Sequence, residues 1–341
     1  MEDAIIHTEW PRDTRRANGT PLGRERLRQE KFEIARQLKA AKTPGRVRIA
    51  NQASAAPQSS GKVATVFISR KRTFVTKLAA NLTMMFADRP FLDRFEAAAA
   101  AGFKAVECLS PYDAPATAIR ERLNRTGLEL VLFNMGIGDL GAGDRGIGAN
   151  PDRVAEMKDS LDQARAYAKA TGCKRLHLMA GKFPEGANRQ VWTQTFVSNI
   201  QRAADALAAD RIDVMLEPIN TKVDIPGYFY ASTAVAIELI EAVGRPNVKL
   251  QYDIYHMQIM EGDLARTIER LLPYIGHIQL ADNPGRNEPG TGEINYPWLL
   301  SKLDALGYNG WVGCEYRPVG DTLAGLGWAK PYLAHQTELS A

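Results

Sequence analysis

From residue 77 onward, short apolar runs alternate with longer stretches of helical spacing. Eight runs read as strands: 78–85, 105–109, 128–135, 175–180, 213–219, 248–254, 277–281 and 311–315. Between them lie seven candidate helices, at 90–101, 117–126, 151–171, 191–209, 232–243, 264–272 and 297–306. In the first helix Phe91, Phe95 and Ala98 recur four and three residues apart, the spacing of one helical face. Five of these helices run into a glycine just before the next strand, at Gly102, Gly127, Gly172, Gly244 and Gly307. That is where a helix ends on a left-handed residue.

Strands apolar on both faces and separated by helices predict a parallel sheet covered by helices. Eight such units in roughly 260 residues match an α/β fold of the (β/α)8 TIM-barrel type, for which ~250 residues is typical. An open, doubly wound sheet would carry a glycine-rich phosphate turn after its first strand. The first run instead reads NLTMMF over 81–86.

Residues 1–76 lack this alternation. A stretch at 24–41 reads as a basic helix with Leu27, Phe32, Ile34 and Leu38 as its sparse apolar members. The segment 43–62 is rich in Ala, Ser, Gln, Pro and Gly and reads as a flexible linker. The expected organisation is a basic, poorly structured extension over 1–76 followed by a barrel domain over 77–341.

Charge sharpens that division. The net charge of +4 hides an uneven distribution. The first 76 residues hold 16 Lys/Arg against 7 Asp/Glu, and the remainder 27 against 32. The barrel is therefore mildly acidic, which argues against nucleic acid as its substrate. No apolar run reaches transmembrane length, and the first residues lack the basic-then-apolar order of a secretory signal. Cys108, Cys173 and Cys314 are too few and too scattered for a disulfide framework or a zinc site. A cytoplasmic protein without membrane association is expected.

In a TIM barrel the active site lies at the C-terminal ends of the strands. There the fifth run carries Glu217, the sixth Asp253 followed by His256, the seventh Gln279 and the eighth Glu315. Glu217, Asp253, Gln279 and Glu315 are separated by 36, 26 and 36 residues, about one strand–helix unit each. Three carboxylates and an amide from four consecutive strands make an oxygen-rich site. Burying such carboxylates together is costly without a cation. Oxygen ligands without thiolate suit Mg²⁺ or Mn²⁺ better than Zn²⁺. The loop after Gln279 is crowded with Pro and Gly and brings Asp282, Arg286 and Glu293 beside it. Cys314 neighbours Glu315, so if Glu315 faces the lumen Cys314 faces the helices.

The segments EPIN (217–220), QYDIYHMQ (251–258), HIQLADNPGRNEPGTGEINY (277–296) and GYNGWVGCEY (307–316) resemble the hydroxypyruvate isomerase family. That family belongs to the xylose-isomerase-like TIM barrels, with the ketose 3-epimerases and endonuclease IV. The resemblance runs from about residue 77 to 332 and includes NLTMMF, ECLSPYD (107–113) and AGDRGIG (142–148); residues 1–76 have no part in it. It implies Glu217 and Glu315 as paired acid/base glutamates, and Glu217, Asp253, Gln279 and Glu315 as ligands of a divalent metal. Gln279 departs from the epimerases, where His is usual. His256 and Arg286 match positions that contact substrate oxygens, and the resemblance also implies homo-oligomers.

The chemistry fits these residue types. Two carboxylates can move a proton between adjacent carbons through a cis-enediolate, a cation offsets the charge that develops, and an arginine pairs with a substrate carboxylate. Arg286 is the first choice for that pairing and Arg145 the second, with a loop salt bridge as the competing reading of Arg145. Lys182 is a weaker candidate. His256 reads as a ligand to a substrate oxygen or to Glu217, or else as a core histidine. Glu107 reads equally as a hydrogen-bonder at the mouth or as a partner behind the ligands.

The expected activity is isomerisation of a short hydroxy-keto acid, hydroxypyruvate to 2-hydroxy-3-oxopropanoate (tartronate semialdehyde). Alternatives are a 2-oxo-tetronate isomerase and a ketose 3-epimerase. From different classes come an endonuclease-IV-like DNA repair enzyme and a non-catalytic barrel. The few histidines and the acidic barrel disfavour the nuclease.

Overall fold

A computed structural model of the chain describes residues 76–338, with side chains as far as 334. The basic extension, with its expected helix at 24–41 and linker at 43–62, lies outside the described residues.

Eight parallel strands close into a barrel in sequence order: β1 (Lys77–Asn81), β2 (Ala105–Glu107), β3 (Glu129–Met135), β4 (Arg175–Leu178), β5 (Asp213–Leu216), β6 (Val248–Asp253), β7 (Ile275–Leu280) and β8 (Trp311–Cys314). β1 pairs with β8 from Lys77↔Trp311 to Ala80↔Cys314, which closes the ring. Seven helices follow the expected pattern: α1 (Arg94–Ala100), α2 (Ala116–Thr126), α3 (Val154–Thr171), α4 (Arg189–Ala208), α5 (Thr233–Val243), and then, after an unexpected α6 (Ile254–Met260), α7 (Leu264–Leu271) and α8 (Tyr296–Leu306). Two more, α9 (Thr322–Gly325) and α10 (Lys330–Glu338), follow β8 and were likewise not expected. Short 3-10 turns at Phe91–Asp93 and Pro151–Arg153 take the first turns expected of α1 and α3.

Most strands end one to four residues before their apolar runs do. Residues 82–88 continue the first run as turns, because apolar side chains above the barrel rim are buried under loops without pairing. Helix ends follow the sequence more closely. Gly127 and Gly244 take φ of 69° and 63° at the ends of α2 and α5, where a Cβ would be strained. Asn188, Ser232 and Asn295 each accept backbone N–H groups at helix starts.

Side chains alternate in and out along each strand. The lower lumen is apolar, with Ala79, Ala105, Val131 and Met215 in one small core. Two residues after Ala79, Ala105 and Met215 the inward positions are polar: Asn81, Glu107 and Glu217, all buried. Outward residues, Cys314 among them, join the larger core under the helices. Among the described residues no helix is long and apolar enough to cross a membrane.

Candidate active site

At the C-terminal end of the barrel lies a cavity of about 330 Å³, lined by Glu217, His256, Arg286 and Glu315 below and by Arg145 and Arg317 nearer the mouth. Glu217 follows directly on β5, Asp253 ends β6, Gln279 is the fifth residue of β7, and Glu315 follows β8. All four are at least 95% buried.

Asp253 has two functions for its two oxygens. Oδ1 accepts the N–H groups of Tyr255 and His256 at 2.7 and 3.2 Å and so starts α6. Oδ2 is buried and has no hydrogen-bond partner among the described residues. Single ligand atoms of Glu217, Asp253 and His256 all lie within 4.8 Å of one another. A buried carboxylate oxygen without a hydrogen bond amid such a cluster fits a hard divalent cation.

The histidine differs from the two carboxylates. Asn220 Oδ1 accepts the N–H groups of Val223 and Asp224, both at 3.0 Å, which fixes its amide. Asn220 Nδ2 therefore donates to His256 Nδ1 at 2.7 Å. Burial lowers the His256 pKa to about 4, so the ring is neutral at pH 7. With Nδ1 accepting, the proton sits on Nε2, which is 3.6 Å from both Glu217 Oε1 and Asp253 Oδ2. In this tautomer His256 is a donor to oxygens and not a metal ligand. The space among the carboxylates is left to oxygen ligands.

Glu217 Oε2 receives Gln251 Nε2 at 2.9 Å and has His177 Nδ1 at 3.3 Å. The same Gln251 nitrogen donates to Gln279 Oε1 at 2.6 Å, which ties the fifth and seventh strands together. Gln279 Nε2 in turn donates to Glu315 Oε2 and, at 3.0 Å, to Glu107 Oε1. Burial, reinforced by neighbouring carboxylates, raises the pKa of Glu217 well above the usual glutamate range. Burial also raises that of Glu315, against the lowering influence of Arg286.

Arg286 is the one buried guanidinium of the set. Its Nη2 donates to Glu315 Oε1 at 2.7 Å and its Nη1 to Asp224 Oδ1 at 2.8 Å. Its guanidinium carbon lies 5.2 Å from the centre of the Tyr255 ring. Burial alone would weaken its basicity, but Glu315, Asp253, Asp224 and Glu217 outweigh that and hold it charged. The backbone at Arg286 is left-handed, with φ of 55°, and its carbonyl accepts Arg317 N–H at 2.9 Å. Asp282 organises the loop that delivers it. Its Oδ1 accepts the N–H groups of Asn283 and Ile294, and its Oδ2 those of Gly290 and Gly292, all between 2.8 and 3.0 Å. Gly292 is required in this turn, since a Cβ there would lie 2.0 Å from the Asn283 carbonyl oxygen. Asp282 is thus fully occupied with the backbone. Glu293, also expected near the ligand, is exposed and bonded to Gln258 and Asn283.

The structure brings Glu217, Asp253, His256, Gln279, Arg286 and Glu315 into one hydrogen-bonded group. It places Arg145 on the cavity wall, with its Nη1 on the Asp144 carbonyl. Lys182 is exposed and outside the cavity lining. Five participants were not singled out from sequence: His177, Asn220, Asp224, Gln251 and Arg317. His177 and Gln251 share the inward parity of their strands with the ligand positions, and Arg317 that of Glu315, so a period-two count carried above and below each strand end finds all three.

The family model of the xylose isomerase-like TIM barrel matches residues 95–332. The 2-oxo-tetronate isomerase of Pectobacterium atrosepticum is 47% identical over 257 residues, covering 75% of this chain and 98% of that one. The hydroxypyruvate isomerase of Escherichia coli is 46% identical over 256 residues, covering 75% and 99%. A crystal structure from Brucella melitensis, titled AP endonuclease, family 2, is 48% identical and superposes with a TM-score of 0.74 over 75% of this chain and 99% of that one. The chain belongs to the xylose isomerase-like TIM barrel family.

Proposed function

We propose that the protein is a divalent-metal-dependent isomerase of short hydroxy-keto acids, converting hydroxypyruvate to 2-hydroxy-3-oxopropanoate. The observation that carries this reading is a pair of buried glutamates, Glu217 and Glu315, lining one small cavity, with a buried carboxylate oxygen of Asp253 that has no hydrogen bond clustered beside Glu217. Relatives 46% and 47% identical bear the names of hydroxy-keto acid isomerases, which supports the same class.

Glu217, Asp253, Gln279 and Glu315 would hold Mg²⁺ or Mn²⁺ through oxygen atoms. When bound, the cation supplies positive charge that offsets the negative charge of the enediolate. Glu217 and Glu315 act as base and acid, one taking the proton from the hydroxyl-bearing carbon and returning it to the neighbouring carbon, the other moving the hydroxyl proton from the first oxygen to the second. Burial raises the proton affinity of both above that of an ordinary glutamate, which suits groups that must hold a proton during the reaction. His256 directs its Nε2–H at the reacting oxygens. Arg286 keeps Glu315 in place and balances the charge of three acids. The substrate carboxylate is assigned to Arg145 and Arg317 at the mouth, because the terminal nitrogens of Arg286 are already engaged. Lys182 is left outside the scheme.

A second reading, 2-oxo-tetronate isomerisation, rests on the Pectobacterium relative. One extra carbon is a small difference for a pocket to read. The nuclease title of the Brucella structure finds less support here. A cavity of about 330 Å³ suits a small molecule, and an acidic barrel disfavours a DNA backbone. The test is an isomerase assay on both acids, with and without EDTA, beside Glu217→Gln and Glu315→Gln. Activity on either acid that EDTA and both substitutions abolish supports the proposal. Inactivity on both acids in the presence of Mg²⁺ or Mn²⁺ overturns it.

A further inference from the structure

Below the proposed cation ligands sits a carboxylate that the proton-transfer scheme leaves unused. Glu107 ends β2 and is completely buried in the barrel lumen. It stands where the pairing of β2 with β3 shifts register between Val106 and Glu107, a local irregularity of the kind that re-aims a side chain. One strand removed, beyond β1, residue 313 of β8 is glycine. A Cβ there would lie 2.1 Å from Glu107 Oε2, so the carboxylate could hold this position only where residue 313 lacks a side chain, and would otherwise have to shift. A buried carboxylate is costly to keep. A glycine that makes space for it indicates a use beyond packing.

Three donors converge on Glu107. Asn81 Nδ2 reaches Oε1 at 3.0 Å. His277 Nε2 reaches Oε2 at 2.7 Å. Gln279 Nε2 reaches Oε1 at 3.0 Å. The Asn81 amide cannot turn over, because its Oδ1 accepts the Thr83 N–H at 3.0 Å. The Gln279 amide is equally constrained. Its NH2 group has two hydrogens and two carboxylates to receive them, Glu107 and Glu315. A carboxylate accepts and cannot donate. Turning the amide over would set its oxygen against the Glu107 carboxylate and its NH2 group against the NH2 group of Gln251. The oxygen is held on the other side, where it meets Gln251 Nε2, the nitrogen that also bonds Glu217.

We infer that Glu107 is a positioning residue that locks the Gln279 carboxamide with its oxygen turned to the Glu217 side of the lumen, so that β7 presents a ligand oxygen and not an NH2 group to a cation. The inference rests on the cation site proposed above, but not on the reaction proposed for it. Glu107 does not touch substrate and acts through Gln279.

Glu107→Gln is nearly isosteric and replaces one acceptor oxygen by a donor. It gives the Gln279 oxygen a partner in the wrong orientation. Binding of Mn²⁺ to the metal-stripped full-length protein, followed by calorimetry, should weaken about tenfold or more, the usual effect of removing a partner behind a metal ligand. The control is the Gln279→Glu background. A carboxylate offers oxygen on both sides, so its presentation needs no lock, and adding Glu107→Gln there should change the Mn²⁺ Kd by less than about threefold. A structural role for Glu107 predicts equal losses in the two backgrounds. Should Glu107→Gln not fold, Asn81→Ser replaces it, since it removes one donor from Glu107 without altering Gln279. It should weaken Mn²⁺ binding in the wild-type background and not in Gln279→Glu.

Unchanged Mn²⁺ affinity in a folded variant, equal losses in both backgrounds, or a wild-type protein that binds no Mn²⁺ would each overturn the inference. A wild-type protein that binds Mn²⁺ yet isomerises neither acid would instead sink the functional reading and leave this comparison standing.

Discussion

Replacing Arg286 by glutamine removes the only buried cation among Glu315, Asp224 and Asp253. Arg286 makes three ion pairs, at 2.7 Å to Glu315, 2.8 Å to Asp224 and a looser one at 3.9 Å to Asp253, and its side chain is 10% exposed. Removing one partner of a buried pair typically costs about 3–5 kcal/mol, because the remaining charge stays buried and uncompensated. Glutamine keeps some hydrogen bonding, so roughly 3 kcal/mol is expected. That corresponds to a fall of roughly 6–12 °C in Tm for a domain of this size. The loss must also depend on pH. Glu315 has a folded pKa raised from 4.5 to about 8. Within that window the folded protein binds more protons than the unfolded chain, so stability falls as pH rises. Without Arg286 the window extends further upward and the fall deepens. Asp224 adds in the same direction. Burial raises its pKa, but Arg286 chief among other partners brings it below the ordinary value. Its contribution is present above the usual aspartate range and is lost as pH falls, and it disappears in the variant. Thermal unfolding in EDTA should therefore show a gap between wild type and Arg286→Gln that is smallest below the ordinary aspartate range, where Asp224 is protonated in both, and that widens again above about pH 8, where Glu315 ionises in the wild type first. A gap that is constant or narrows with pH, or a Tm within about 2 °C of wild type at neutral pH, would refute the reasoning.

Glu217→Gln and Glu315→Gln should each lower kcat by roughly 10²–10⁴, the usual worth of a general acid or base; a loss confined to KM would contradict the proton-transfer roles. Arg317→Ala should raise KM for a carboxylate substrate by roughly tenfold, the worth of one partly solvated charge-assisted bond at about 1.4 kcal/mol per decade. Arg317→Lys should recover part of it, and steady-state kinetics on hydroxypyruvate checks both. Asp282→Asn keeps one oxygen and turns an NH2 group toward two of the four backbone donors now bound by the carboxylate. At about 1–3 kcal/mol for each donor left unpaired, roughly 2–6 kcal/mol of stability is lost, toward the low end where the donors are part-buried, and urea unfolding that shows no shift would refute that role.

The barrel was legible because it is written in local terms. Apolar runs, helical spacing and glycines such as Gly127 and Gly244 mark eight units without knowledge of any long-range contact. The positions of Glu217, Asp253, Gln279 and Glu315 were legible for the same reason, since strand ends in this fold face one another. Helix α6 was hidden because QYDIYHM reads as one strand. Asp253 ends the strand and caps the helix at once, and the apolar pattern does not change there. The pairing of Arg286 with Asp224 joins residues 62 apart across two loops, and nothing local reports it. Asp282 looked like a ligand group from its place beside Gln279. Only the folded loop shows that its four acceptor positions are filled by backbone. The tautomer of His256 depends on Asn220, one strand away, whose own orientation is set by a turn.

The central claim is that four oxygen-bearing side chains from successive strands share one cation. Anomalous diffraction from a crystal soaked with Mn²⁺ tests it most directly. The account predicts a single strong peak with oxygens of Glu217, Asp253, Gln279 and Glu315 within roughly 2–2.5 Å and His256 Nε2 outside the coordination sphere. An ion bound by His256 Nε2, with Glu315 still paired to Arg286 and away from the metal, would contradict it.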